Sequence, residues 1–261
     1  MTTTATESTG LVLLQRQDHM ATITINRPAQ RNAINHRLAL QLASALDQLD
    51  ADPDIAVGVL TGAGGTFCAG MDLKAFAQGE SPIIAGRGFG GLTRAKVRKP
   101  LIAAVEGWAL GGGFELALAC DLIVAAEDAT FGSPEVAWGI VAAEGGLVRL
   151  PHRIPYHVAV RLLLTGELLP AADAKRYGLV NELTASGGAL DKAQELAARI
   201  AKNAPLAVAA IKQVLRATQG LSDNDAFERQ DEIISPVLAS EDAHEGATAF
   251  AQRRTPVWHG R

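Results

Sequence analysis

The residues best placed to do chemistry sit in Trp108-Ala-Leu-Gly-Gly-Gly-Phe-Glu115. Three glycines ahead of an apolar run let a ligand oxygen approach the backbone, because no Cβ stands in the way. The first N–H groups of a helix lack internal partners and lie at the positive end of its dipole. The turn can therefore hold an anion or a developing oxyanion. Glu115 stands on the first turn of an otherwise apolar helix, Phe114 to Cys120. Glu135 follows in Phe131-Gly-Ser-Pro-Glu-Val, beyond an apolar strand. Two carboxyls in unlike environments are how an enzyme makes one general acid and one general base. On spacing alone, a tight strand-to-helix turn and two solvated glutamates are the plain alternative. A dinucleotide fingerprint wants Gly-x-Gly-x-x-Gly after the first strand. Here the glycines are contiguous and fall mid-chain, and no Gly-Lys-Ser/Thr phosphate loop is present.

The elements that must position these residues follow from periodicity. Leu11 to Leu14 and Met20 to Ile25 read as a strand pair joined by a polar turn. Leu38, Leu42, Ala45, Leu46 and Leu49 recur at helical spacing within His36 to Leu49. Ile55 to Leu60, Leu101 to Glu106, Asp121 to Ala126 and Leu179 to Glu182 read as strands. Gln78 to Gly91 is glycine-rich without a period, which predicts a mobile surface segment that shapes a pocket. Helices are predicted over Ala189 to Lys202, Pro205 to Thr218, Ser222 to Leu238 and about Glu241 to Arg253. Residues 1–10 read as a disordered tail, 11–195 as a mixed α/β core carrying the site, and 196–261 as a helical region of the same domain.

Composition bounds the function. The 261 residues are 48% hydrophobic and 20% charged, which fits a folded globule rather than a disordered chain. A net charge of −4 argues against broad nucleic-acid binding. No apolar run approaches a membrane span, and the Thr-rich N-terminus lacks a secretory pattern. Two cysteines, Cys68 and Cys120, fit a reducing compartment, so a cytoplasmic protein is expected. Cys68 reads as a buried thiol rather than a nucleophile. The six histidines show no metal-ligand spacing, and Trp108 and Trp138 read as core or pocket walls.

Taken together, Asn26-Arg-Pro, Arg31-Asn-Ala-Ile, Phe67-Cys-Ala-Gly-Met-Asp-Leu73, Lys99-Pro-Leu-Ile-Ala-Ala-Val-Glu-Gly-Trp through Glu115, Cys120-Asp-Leu-Ile-Val-Ala, Phe131-Gly-Ser-Pro-Glu135 and Leu164-Thr-Gly-Glu resemble the crotonase superfamily of enoyl-CoA hydratases and isomerases. The resemblance runs from about residue 11 to the C-terminus. It implies an α/β fold, a spiral of β-β-α units with C-terminal helices that drive a homotrimer or a dimer of trimers. It assigns the oxyanion hole to the backbone N–H groups of Met71 and Gly112. It places Ala69, Asp72 and Leu73 along the pantetheine and adenine channel. Arg31 and Lys74 match cations near the CoA phosphates, and Phe250 with Arg253 matches a contribution to a neighbouring CoA site.

The hydratase branch uses two glutamates about a water, which map to Glu115 and Glu135. Water adds across the 2,3 double bond of a trans-2-enoyl-CoA. Glu115 deprotonates the water that attacks C3, and Glu135 gives the proton at C2. The partner is an acyl-CoA thioester; no cofactor or metal is implied, CoA being part of the substrate, and neither nucleic acid nor membrane. Isomerase relatives often keep only the second carboxylate, so an isomerase and a non-catalytic acyl-CoA-binding homologue are the alternatives. One stretch departs from the family: Gly139-Ile-Val-Ala-Ala-Glu-Gly-Gly146 has alanines where many hydratases have Pro-Gly. The resemblance gives the Ala143 N–H a part in holding the water, and the added Glu144 is expected to be exposed.

Overall fold

A computed structural model describes residues 10–261; the predicted N-terminal tail, apart from Gly10, lies outside the described residues. The chain starts with β1 (Val12–Gln17) and β2 (Met20–Ile25), paired antiparallel from Val12↔Ile25 to Gln17↔Met20. Asn35 then caps α1 (His36–Ala51), its side chain accepting from the Leu38 N–H at 3.0 Å. The predicted stripe of α1, from Leu38 to Leu49, is its buried face. β3 (Val57–Gly62) adds parallel to β2. α2 (Leu73–Ala77), β4 (Ile83–Ile84) and β5 (Gly88–Phe89) lead to β6 (Leu101–Val105). Next come β7 (Trp108–Leu110), α3 (Gly112–Ala119), β8 (Leu122–Ala126) and β9 (Thr130–Gly132). After a 3-10 turn, Pro134–Trp138, follow α4 (Gly146–Arg149), α5 (Tyr156–Thr165), β10 (Leu168–Pro170), α6 (Ala171–Arg176) and β11 (Glu182–Thr184). Four helices close the chain: α7 (Ala189–Ala201), α8 (Pro205–Ala217), α9 (Asp223–Leu238) and α10 (Glu241–Gln252).

Apart from the β4–β5 pair, two sheets share the strands. The large one runs β1-β2-β3-β6-β8-β11, parallel from β2 onward, and the small one runs β10-β9-β7. The chain steps from large to small sheet twice, β6 to β7 and β8 to β9, so each strand pair turns a corner and the path coils. Parallel strands covered on both faces carry apolar side chains on both. Leu101, Ala103 and Val105 of β6 face the main core, while Ile102 and Ala104 face Ala189, Ala193 and Ala197 of α7. That period-two split seats α7 on the back of the sheet and leaves the other face for the site. Among the described residues no helix is long and apolar enough to cross a membrane.

β3 starts two residues later than expected, and two further elements differ more. The last strand is Glu182–Thr184 rather than Leu179 to Glu182. Leu179 and Val180 are buried behind α6, and the Asn181 side chain accepts the Ile123 N–H, so pairing with β8 begins only afterwards. Gln78 to Gly91, expected to be mobile, instead contains the β4–β5 hairpin, clamped to α1 by Arg87, which pairs with Asp47 at 2.6 Å. Gly91 has φ +68°, and a Cβ there would lie 2.6 Å from that of Ala43, so glycine lets the hairpin lie flat on the helix.

The C-terminal helices are tied to the sheet by charge. Lys212 of α8 is only 7% exposed. Its Nζ meets Asp121 Oδ2 at 2.6 Å and donates to the Lys99 carbonyl at 2.6 Å. Asp121 also receives Arg216 at 3.1 Å and accepts the Leu101 N–H. A buried charge needs this degree of pairing to be tolerated.

Candidate active site

Gly111 caps α3 at φ +53°, ψ −127°, a conformation open mainly to glycine, with its N–H bonded to the Gly132 carbonyl at 2.9 Å. A Cβ on Gly112 would lie 2.4 Å from the Phe89 ring, and one on Gly113 2.2 Å from the Cys68 carbonyl. The triple glycine is therefore a packing requirement: α3 starts pressed between the hairpin and the Cys68 strand. That strand runs beside β7, with Cys68 N–H to Trp108 O at 2.8 Å and Leu110 N–H to Cys68 O at 3.0 Å. A Cβ on Gly70 would sit 3.4 Å from the Gly112 nitrogen, so Met71 enters right beside the helix start. The bridge from this strand to Ile34 uses the Gly70 carbonyl and the Asp72 N–H and skips Met71. Among the described residues, neither the Met71 nor the Gly112 N–H has an acceptor.

Glu115 is 3% exposed, and its Oε1 accepts two backbone donors, Glu144 N–H at 2.7 Å and Gly146 N–H at 2.9 Å. The expectation for Ala143 is corrected here. Its N–H is spent on Val141 O at 2.8 Å, because Val141 to Ala143 turns tightly before Gly145 at φ +127°. The N–H groups of Glu144 and Gly146 are turned instead onto Glu115 itself. Glu135 is 8% exposed on the 3-10 turn, and its Oε2 is buried with no partner among the described residues. Burial pushes Glu115 up to about 7, partly offset by its two N–H donors and reinforced by the nearby charges of Glu135 and Glu144. Burial also raises Glu135. Burial and the nearby negative charge of Glu135 both work against ionisation of Glu115.

Glu144 is not exposed as expected. Its carboxylate pairs with Arg94 at 2.7 Å and accepts Thr93 Oγ1 at 3.1 Å and the Phe89 N–H at 3.0 Å. These bonds join the β5 hairpin to the loop that grips Glu115, and they hold the third negative charge against a cation.

Glu115, Glu135, Met71, Gly112, Ala69, Leu73 and Ala143 line one cavity of about 330 Å³. The remaining wall is largely apolar, with Phe89, Trp138, Ile140 and Val141 prominent, a composition suited to an acyl group. Phe89 was not singled out by sequence; the only signal was one aromatic residue among glycines. Asp72 lies outside this cavity wall. Its side chain caps α2, accepting from Lys74 and Ala75 N–H at 3.1 Å, and pairs with Arg27 at 2.6 Å. Burial alone would raise its pKa, but Arg27 and the capping donors outweigh that and hold it below the ordinary value. Lys74 sits exposed beside Leu73 at the rim. The Arg31 guanidinium stacks over Trp108 at 4.6 Å, also outside the wall. Phe250, 87% exposed, and Arg253, the left-handed cap of α10, lie away from this chain's cavity lining.

Comparison with known proteins agrees with this geometry. The profile of the family described as enoyl-CoA hydratase/isomerase matches residues 15–261. A Mycobacterium tuberculosis protein named enoyl-CoA hydratase EchA19 is 44% identical, over 98% of each chain. A carnitinyl-CoA dehydratase of Proteus mirabilis is 43% identical, over 92% of this chain and 94% of its own. A solved enoyl-CoA hydratase from Mycobacterium tuberculosis superposes with a TM-score of 0.94 at 55% identity, covering 96% of this chain and 99% of that one. With its coiled sheets, glycine-started helix and two buried glutamates on a shared cavity, this chain belongs to the enoyl-CoA hydratase/isomerase family.

Proposed function

We propose that the protein is an enoyl-CoA hydratase, acting on the 2,3 double bond of a trans-2-enoyl-CoA to give the 3-hydroxyacyl-CoA. The observation that carries this reading is the pairing of Glu115 and Glu135 on one cavity beside two unclaimed backbone donors. The thioester oxygen lies against the Met71 and Gly112 N–H groups. There it is stabilised as it gains enolate charge, each donor contributing roughly 10²–10³ in rate. The two N–H bonds on Glu115 Oε1 favour its ionised form and leave its other oxygen to take a proton from water. The unpartnered buried oxygen of Glu135 favours the acid form, which suits it to protonate C2. Hydroxide adds at C3, the water's other proton passes to Glu115, and the C2 proton comes from Glu135. The pair thus keeps one proton throughout. Read backwards, the same residues dehydrate a 3-hydroxyacyl-CoA, the direction in the name of the Proteus relative.

The apolar cavity holds the acyl chain, with exposed Lys74 at the rim on the CoA side. Exposed apolar side chains on the last helices, among them Leu215, Phe227 and Phe250, support assembly into a homotrimer or a dimer of trimers. The test is turnover of crotonyl-CoA, followed by loss of the enone absorbance and by product mass. Wild type forms a product heavier by one water, and Glu115→Gln and Glu135→Gln each lower kcat by at least about 10². A shifted double bond without added water would establish an isomerase, and acyl-CoA binding without turnover across several chain lengths would leave only a binding protein.

A further inference from the structure

A second cavity, of about 230 Å³, lies on the far side of the Glu144 tether. Five permanent cations line it: Arg94, Lys96, Arg149, Arg153 and Arg216, with His152 beside them and no carboxylate in the wall. Two of these charges are met by carboxylates from behind. Arg94 pairs with Glu144 at 2.7 Å and Arg216 with Asp121 at 3.1 Å. Lys96 and Arg153 have no salt-bridge partner among the described residues. Arg149 is half-buried and bonds only to carbonyls, of Thr93 and Glu144. Like charges are thus crowded into a concave site, at a cost that an anion would remove.

A planar guanidinium presents paired donors to phosphate or carboxylate oxygens, and four arginines with a lysine on one small cavity suit a ligand bearing several such oxygens. We propose that this cavity binds a multiply charged phosphate-class anion, and that the anion competes with Glu144 for Arg94 and Arg149. The wall between the two cavities makes the competition direct. Arg94 holds the Glu144 carboxylate, and Arg149 holds the carbonyl of the same residue. The Glu144 N–H in turn grips Glu115. An anion behind the wall therefore pulls on the loop that fixes the carboxylate in front of it.

Inorganic pyrophosphate, titrated into the full-length protein by calorimetry at about 0.15 M salt, is the probe, since exposed charge alone is largely screened there. One saturable site with a dissociation constant well below about 1 mM is expected. Lys96→Ala/Arg153→Ala weakens binding at least about tenfold, and Lys96→Arg/Arg153→Lys restores it. Both positions are exposed, and a thermal melt confirms that the variants are folded. Glu144→Gln, which frees Arg94 from its carboxylate, tightens binding at least about threefold. Absence of saturable binding, or binding indifferent to Lys96→Ala/Arg153→Ala, overturns the site. An affinity unchanged by Glu144→Gln overturns the competition.

Discussion

The proposed reaction puts opposite demands on Glu115: it must be dry enough to act on a bound water, yet ionised to do so. Its pKa of about 7, against an ordinary 4.5, means that the folded state holds this proton more tightly than the unfolded chain. Its contribution to stability is therefore complete below about pH 4.5 and is lost as the pH rises through about 7. Glu115→Gln removes the ionisation and keeps an oxygen for the two N–H donors. It should be more stable than wild type at pH 8 by on the order of 2–3 kcal/mol, or several degrees in Tm, and indistinguishable at pH 4. Melting curves across that range check the sign. Gly112→Ala probes the other half of the site. A Cβ there must displace the Phe89 ring and with it the Gly112 N–H, so kcat falls by roughly 10²–10³ while KM changes little. Steady-state kinetics separate the two constants, and Gly112→Ala/Phe89→Leu should recover part of kcat. Both glutamates were legible because a carboxyl among apolar neighbours has to be explained. The donors to Glu115 were not: Ala143, Glu144 and Gly146 differ only in where a turn bends, and no side chain reports that.

At the scale of elements, Asp72 shows how a residue in a recognisable motif serves the scaffold. Capping α2 and pairing with Arg27, it fixes the angle at which Met71 and Leu73 reach the cavity. Asp72→Ala should cost roughly 1–2 kcal/mol in chemical denaturation, the usual worth of a helix cap, without abolishing turnover. The C-terminal helices were readable almost residue by residue, since Ser222 and Ser240 cap α9 and α10 and the apolar stripes repeat at helical spacing. The β4–β5 hairpin was hidden because strands of two residues have no period. Its position is set by Arg87 and by glycines packed against α1, contacts distant in sequence. β11 slipped because Leu179 and Val180 have strand-like composition but are buried behind a helix.

For the whole molecule, the balance of surfaces matters more than any one contact. Ile211, Leu215, Phe227 and Leu238 leave large apolar areas open on α8 and α9. Sedimentation should find three or six copies of the 27.3 kDa chain, and Leu215→Asp/Phe227→Asp should shift the population toward monomer. The order of strands in the sheets rests on pairings distant in sequence, while the spiral of β-β-α units could be expected from the family resemblance. What covers the last helices could not, because one sequence does not display the surface opposite it.

The Cys68 strand that presses on Gly113 gives the molecule an internal reporter. Its thiol, like that of Cys120, is fully enclosed and pushed up to about 12 by burial. A thiolate at pH 8 is therefore scarce in the closed protein, and a colorimetric disulfide reagent must wait for an opening. Cys68 lies directly beneath the donors proposed for the thioester oxygen, so its labelling rate times the breathing of that wall. A bound acyl-CoA should slow Cys68 labelling while leaving Cys120, whose Sγ points back to the Leu116 carbonyl within α3, at its own rate. Peptide mass mapping of the two sites turns an inert core residue into a stopwatch for how often the wall bearing the Met71 and Gly112 N–H groups comes apart.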